Sequence, residues 1–98
     1  MSLKDRYEFD SLVNEAERLV LEEMERQLEA KENKDVCKCE DCILDMAALA
    51  LNNVKPLYRV SLLGSLYTAG VANTSYAEEI KKAVHTAIQK VKANPSHG

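Results

Sequence analysis

Apolar residues recur at helical spacing in three stretches of this chain and alternate with polar ones in a fourth. Val13, Ala16, Val20, Met24 and Leu28, joined by Leu12 and Leu19 on one flank or Leu21 on the other, form the first stripe. Glu15, Arg18, Glu22, Glu25, Arg26 and Glu29 fall mostly outside it. The pattern predicts a helix from Glu15 to about Lys31, capped by Asp10, Ser11 or Asn14, with Asn14 and Glu17 at capping-box spacing. Glu22 and Arg26 stand as an i,i+4 pair in the favourable order. Lys31 to Asp35 holds no apolar residue and reads as a loop.

Ile43, Leu44, Met46, Leu49 and Leu51, with Ala47, Ala48 and Ala50 between them, leave almost no polar face. A second helix, from Cys39 or Asp41 to Asn53, is therefore expected to be buried nearly all round, with Asp41 favoured in its first turn by the helix dipole. Two flanking helices of a small domain cover such a surface incompletely. The expectation is a homodimer with this helix at or near the two-fold axis, the alternative being a three-helix monomer with it at the centre.

Pro56 disfavours helical geometry at Lys55, and Tyr58-Arg59-Val60-Ser61-Leu62 then alternates as a half-buried strand does. A lone strand needs a partner, either Leu66-Tyr67-Thr68 folding back through Gly64-Ser65 or the same strand of a second chain. Ser75 and Glu78 repeat the capping-box spacing before a third helix, Tyr76 to about Ala93, with the stripe Ala77, Ile80, Val84, Ala87, Ile88 and Val91. Asn94-Pro95 ends it. The predicted fold is mainly α: one domain over residues 1–98, three helices, and a short β-strand or hairpin between the second and third.

Composition narrows the function classes. At 98 residues and 11.0 kDa a single core buries a modest share of the chain, so a metal or a second copy is expected to assist. A formal charge of -3 and a pI near 5.4 argue against a strong, sequence-independent hold on nucleic acid. Lys4, Asp5, Arg6, Glu8 and Asp10 interrupt any signal-peptide run, and no stretch has the ~20 apolar residues of a membrane span. A cytoplasmic protein is expected.

The cysteines change the picture most. Cys37, Cys39 and Cys42 hold all the sulfur ligands within six residues, as Cys-x-Cys-x2-Cys. Cys39-x2-Cys42 has the commonest zinc half-site spacing, because a turn of that length points both thiolates at one tetrahedral centre, and Cys37 adds a third sulfur. A structural zinc wants a fourth ligand, and Asp35, Glu40, Asp45, His85, His97, water or a residue of another subunit are the candidates. Cys39 and Cys42 as a redox pair is the competing reading, although no thioredoxin-like strand precedes them. No phosphate loop, Ser/His/Asp set or His-Glu metal motif is visible, so the chain is expected not to be an enzyme.

Cys39-Glu40-Asp41-Cys42-Ile43-Leu44-Asp45, the helix ending Ala50-Leu51-Asn52, and the exit Pro56-Leu57-Tyr58 together resemble the late competence development protein ComFB family. The charged helix before this run and the helix after it also fit. The resemblance implies a small, homodimeric, mainly helical bacterial protein associated with natural transformation and with proteins of the DNA-uptake machinery, carrying zinc in its cysteine-bearing members. Other members of the family are cyclic dinucleotide receptors (cyclic di-GMP, cyclic di-AMP). Where their signature has Tyr, Arg and Pro, this chain has Leu49, Asn53 and Lys55. Asp45, Asn52, Pro56 and Tyr58 remain as implied ligand-binding residues, with Lys55 and Arg59 as cations for two phosphates. The residues themselves also allow a plainer reading, Asn52 as a helix C-cap and Tyr58 as a core-edge aromatic.

Overall fold

In the computed structural model, residues 2–60 and 74–95 are described. Their elements run α1 (Leu3–Arg6), β1 (Val13–Asn14), α2 (Glu15–Leu28), a 3-10 turn (Lys31–Asn33), α3 (Glu40–Leu51), β2 (Tyr58–Arg59) and α4 (Thr74–Ala93). The fold is mainly helical, as the periodicity predicts. No helix among the described residues is long and apolar enough to cross a membrane.

The first stripe sits where its spacing puts it, with Ala16, Val20 and Met24 of α2 buried. It leans to the Leu19 flank, because Leu19 packs against the core whereas Leu21 is 50% exposed. The first helix ends earlier than expected: Ala30 is extended at ψ 148 and the chain re-enters helical geometry only in the 3-10 turn. On α4 the buried residues are Tyr76, Ile80, Ala83, Val84, Ala87, Ile88 and Val91, while Ala77 is exposed. Ser75 already lies inside α4, so its spacing to Glu78 is not a cap. α4 packs against both α3 and α2, and Met46, Ile88, Val20 and Val84 are its best-sealed contacts. Each such side chain contributes about 1.5–3 kcal/mol on burial.

Two expectations about contacts change. Glu22 pairs with Arg18 at 3.0 Å, and Arg26 turns back to Glu23, so the pair read between Glu22 and Arg26 does not form. On α3 only Cys42, Met46 and Ala50 are buried, and Leu44 is 61% exposed. Ile43, Ala47, Leu49 and Leu51 are partly buried against the same core, so that Leu44 and Ala48 are the apolar residues of α3 left facing outward.

The strand finds neither of its expected partners among the described residues. β2 pairs antiparallel with β1, Val13 opposite Arg59 and Asn14 opposite Tyr58, across the whole of α2, the cysteine loop and α3. The hairpin through Gly64-Ser65 lies outside the described residues. This pairing ties the entrance of α2 to the exit of α3, which a two-residue strand achieves only because side chains reinforce it.

Candidate metal centre

The segment between α2 and α3 has few apolar residues, so polar contacts and Val36 hold it. Val36 is 5% exposed and anchors the loop in the core. The Asn33 amide Nδ2 donates to the Gln27 carbonyl at the end of α2, 2.7 Å away. Lys38 Nζ donates to the carbonyls of Asn33 and Val36, at 3.2 and 3.3 Å. Those bonds turn the backbone so that Cys37 and Cys39 follow one another into the start of α3.

Cys39 is the N-cap of α3, in extended geometry, and its Sγ accepts the Cys42 backbone N–H at 3.5 Å. Cys42, one turn on, is fully buried, whereas Cys37 and Cys39 are half-buried. The Sγ atoms of all three lie within 4.8 Å of one another. Three thiolates on zinc, at about 2.3 Å from the metal, stand about 3.8 Å apart in a tetrahedron, so the cluster needs only a small contraction to fit. The donor set is soft and suits zinc. Of the other candidate ligands, Asp35, Glu40, Asp45 and His85 do not join this group among the described residues, and His97 lies outside them. His85 is exposed on α4 beside Lys81 and Lys82.

Of the residues implied as a ligand site, Asn52, Pro56, Tyr58 and Arg59 lie past the other end of α3, some ~18 Å along a twelve-residue helix, whereas Asp45 stands one turn after Cys42. Asn52 is the C-cap of α3 and its Nδ2 donates to the Ala48 carbonyl at 2.9 Å, in line with its plainer reading. Asp45 is half-buried, about two turns before Asn52. Pro56 is exposed, and Tyr58, at 61% exposure, stands on the surface and not at a core edge. Arg59 is paired with Glu15: its Nη2 lies 2.8 Å from Glu15 Oε1.

Glu15 is buried at 8% exposure, although its position in the sequence reads as outside the apolar stripe. Arg59 and, second, Arg18 donate to its carboxylate and hold its pKa below the usual value, against the opposing effect of burial. Asn14 Oδ1 accepts two backbone N–H groups, Ala16 at 3.1 Å and Leu57 at 2.8 Å. The Glu15 N–H donates to the Leu57 carbonyl, Glu79 accepts the Lys55 N–H, and the Tyr76 hydroxyl donates to the Lys55 carbonyl. The stretch around Pro56 is thereby fixed from the start of α2 and from α4. Sequence reasoning missed Asn14 as a double acceptor, and also Glu15, Tyr76 and Glu79, because their partners are distant in the chain. A carboxylate abutting an apolar stripe was the only local signal.

The family model described as Late competence development protein ComFB matches residues 13–95. No curated protein matches the chain.

Proposed function

The chain belongs to the late competence development protein ComFB family, and from that premise we propose a non-enzymatic, homodimeric, cytoplasmic accessory protein of DNA uptake, fastened by zinc on Cys37, Cys39 and Cys42. The observation that carries the metal reading is the convergence of three sulfur atoms, within 4.8 Å, from a loop and a helix start. Bound zinc supplies no reaction here; it ties the loop to α3. Cys42 sets the ligand in the core, and Cys39 and Cys37 close over it from the solvent side.

The dimer reading rests on the outward apolar surface of α3, where Leu44 is 61% exposed. Covering that surface with its own copy is the inexpensive solution for a short helix of this composition. The alternative, a cyclic dinucleotide receptor around Asp45, Asn52, Pro56, Tyr58 and Arg59, has less support, since Arg59 is engaged by Glu15 and Asn52 by its own helix.

Metal analysis of the reduced, purified chain, together with its native mass, tests the proposal. One zinc per chain and twice the 11.0 kDa chain mass are expected, with metal and thermal stability both lost in Cys39→Ser. Absence of stoichiometric metal together with an unchanged Cys39→Ser melt sinks the zinc reading. Loss of transformation on deleting the gene in its host is the expected cellular outcome. Saturable binding of cyclic di-GMP or cyclic di-AMP, abolished by Tyr58→Ala, would instead favour the receptor.

A further inference from the structure

A second concave site lies away from the cysteines, between the end of α2, the 3-10 turn and the exposed side of α4. Its volume is about 510 Å³, within the ~300–1,000 Å³ usual for small-ligand sites. Its two ends differ in chemistry. At the turn end, beside the C-terminus of α2, stand Glu32 and Asn33. Asn33 is 4% exposed, and among the described residues its Oδ1 is the buried side-chain polar atom without a hydrogen-bond partner. Its Nδ2 is fixed on Gln27, so the amide cannot turn to relieve that oxygen without losing a bond. A buried carbonyl left without a donor costs about 1–3 kcal/mol.

The α4 wall is the reverse. Lys81, Lys82 and His85 line it, and none makes a side-chain hydrogen bond or ion pair among the described residues. Arg26 also lines the cleft, with its guanidinium held by Glu23, and Glu78 offsets part of the α4 charge. The balance of charges is near zero while their arrangement is polar, which suits a ligand of both signs better than a simple anion.

We propose that this cleft binds a small zwitterion, a free amino acid or short peptide. Its ammonium group faces Glu32, above the buried Asn33 amide, and its carboxylate faces Lys81, Lys82 and His85. The negative end of the α2 dipole favours the ammonium at the turn. The two lysines act as point charges on the carboxylate, on adjacent positions of one helix face.

The test follows backbone and side-chain amide NMR signals of the full chain titrated with glycyl-leucine, with leucine, and with N-acetyl-glycyl-leucine amide, which lacks both charges. Glycyl-leucine or leucine is expected to shift Asn33 Nδ2 and the amides of Lys81 to Thr86 and to saturate at about 1 mM or below. The doubly substituted Lys81→Gln, Lys82→Gln chain, altered only at exposed positions, is expected to bind about tenfold more weakly. The proposal is overturned if neither probe saturates by about 10 mM, if the blocked peptide binds as tightly, or if the lysine variant binds unchanged.

Discussion

Replacing Asn14 by alanine removes one oxygen and, with it, the partners of two amides in different parts of the fold. The first is the Ala16 N–H, 3.1 Å away, the cap of α2; losing such a cap costs about 1 kcal/mol. The second is the Leu57 N–H, 2.8 Å away, on a residue only 8% exposed, where an orphaned donor costs about 1–3 kcal/mol. Together they predict a loss of about 2–4 kcal/mol, a large share of the ~5–15 kcal/mol that holds a domain of this size. At about 4–8 °C per kcal/mol the melting temperature is expected to fall by some ~8–30 °C. Urea unfolding followed by circular dichroism measures the loss, and amide hydrogen exchange at Leu57 locates it. Asn14→Asp keeps the acceptor and is expected to stay within about 1 kcal/mol of the parent. An Asn14→Ala chain within about 0.5 kcal/mol of the parent, or a Leu57 amide exchanging no faster, would refute the double-acceptor role.

The Glu15 carboxyl is held below its ordinary value of 4.5 by Arg59 and then Arg18, so its contribution is present above that value and is lost as pH falls through the lower folded value. The acid limb of the stability curve should therefore flatten in Glu15→Gln, as read by melts between pH 7 and pH 2; an unchanged limb removes Glu15 from the account. For the cysteines, a chelator is expected to lower the melting temperature of the parent but not of Cys37→Ser, whereas Cys42→Ala loses stability with or without chelator because Cys42 is fully buried. Equal chelator sensitivity in parent and Cys37→Ser would contradict a shared metal. Leu44→Glu, at a site 61% exposed, should leave the fold within about 0.5 kcal/mol while halving the native mass, and a retained double mass would move the interface off α3.

The metal centre and the Pro56 stretch sit at opposite ends of α3, and that placement gives them separate mechanical roles. Zinc at Cys37, Cys39 and Cys42 would fix where the helix begins, and the Asn14, Glu15 and Tyr76 contacts fix where its exit leads. A helix held at both ends presents its outward side, Leu44 included, in one orientation, which is what a partner surface requires.

The three long helices, the buried stripe of α2, that of α4 apart from Ala77, and the clustering of the cysteines in sequence were legible in the chain itself. Each is a local property: a 3.6-residue period places Val20 and Met24, or Val84, Ile88 and Val91, on one face, whereas the approach of the three sulfur atoms to within 4.8 Å depends on the turn into α3. Only the tertiary structure decided that β2 pairs with β1, that Glu15 is buried on Arg59, and that Asn14 holds Leu57 as well as its own helix. It also decided that Asn33 is sealed beneath a cleft on α4. These contacts join residues some forty or more positions apart, or expose a polar atom's partner only once three helices have packed. Periodicity reports which face of an element is apolar, but the identity of what meets that face depends on chain paths between elements, and those are set by the packing of the whole core.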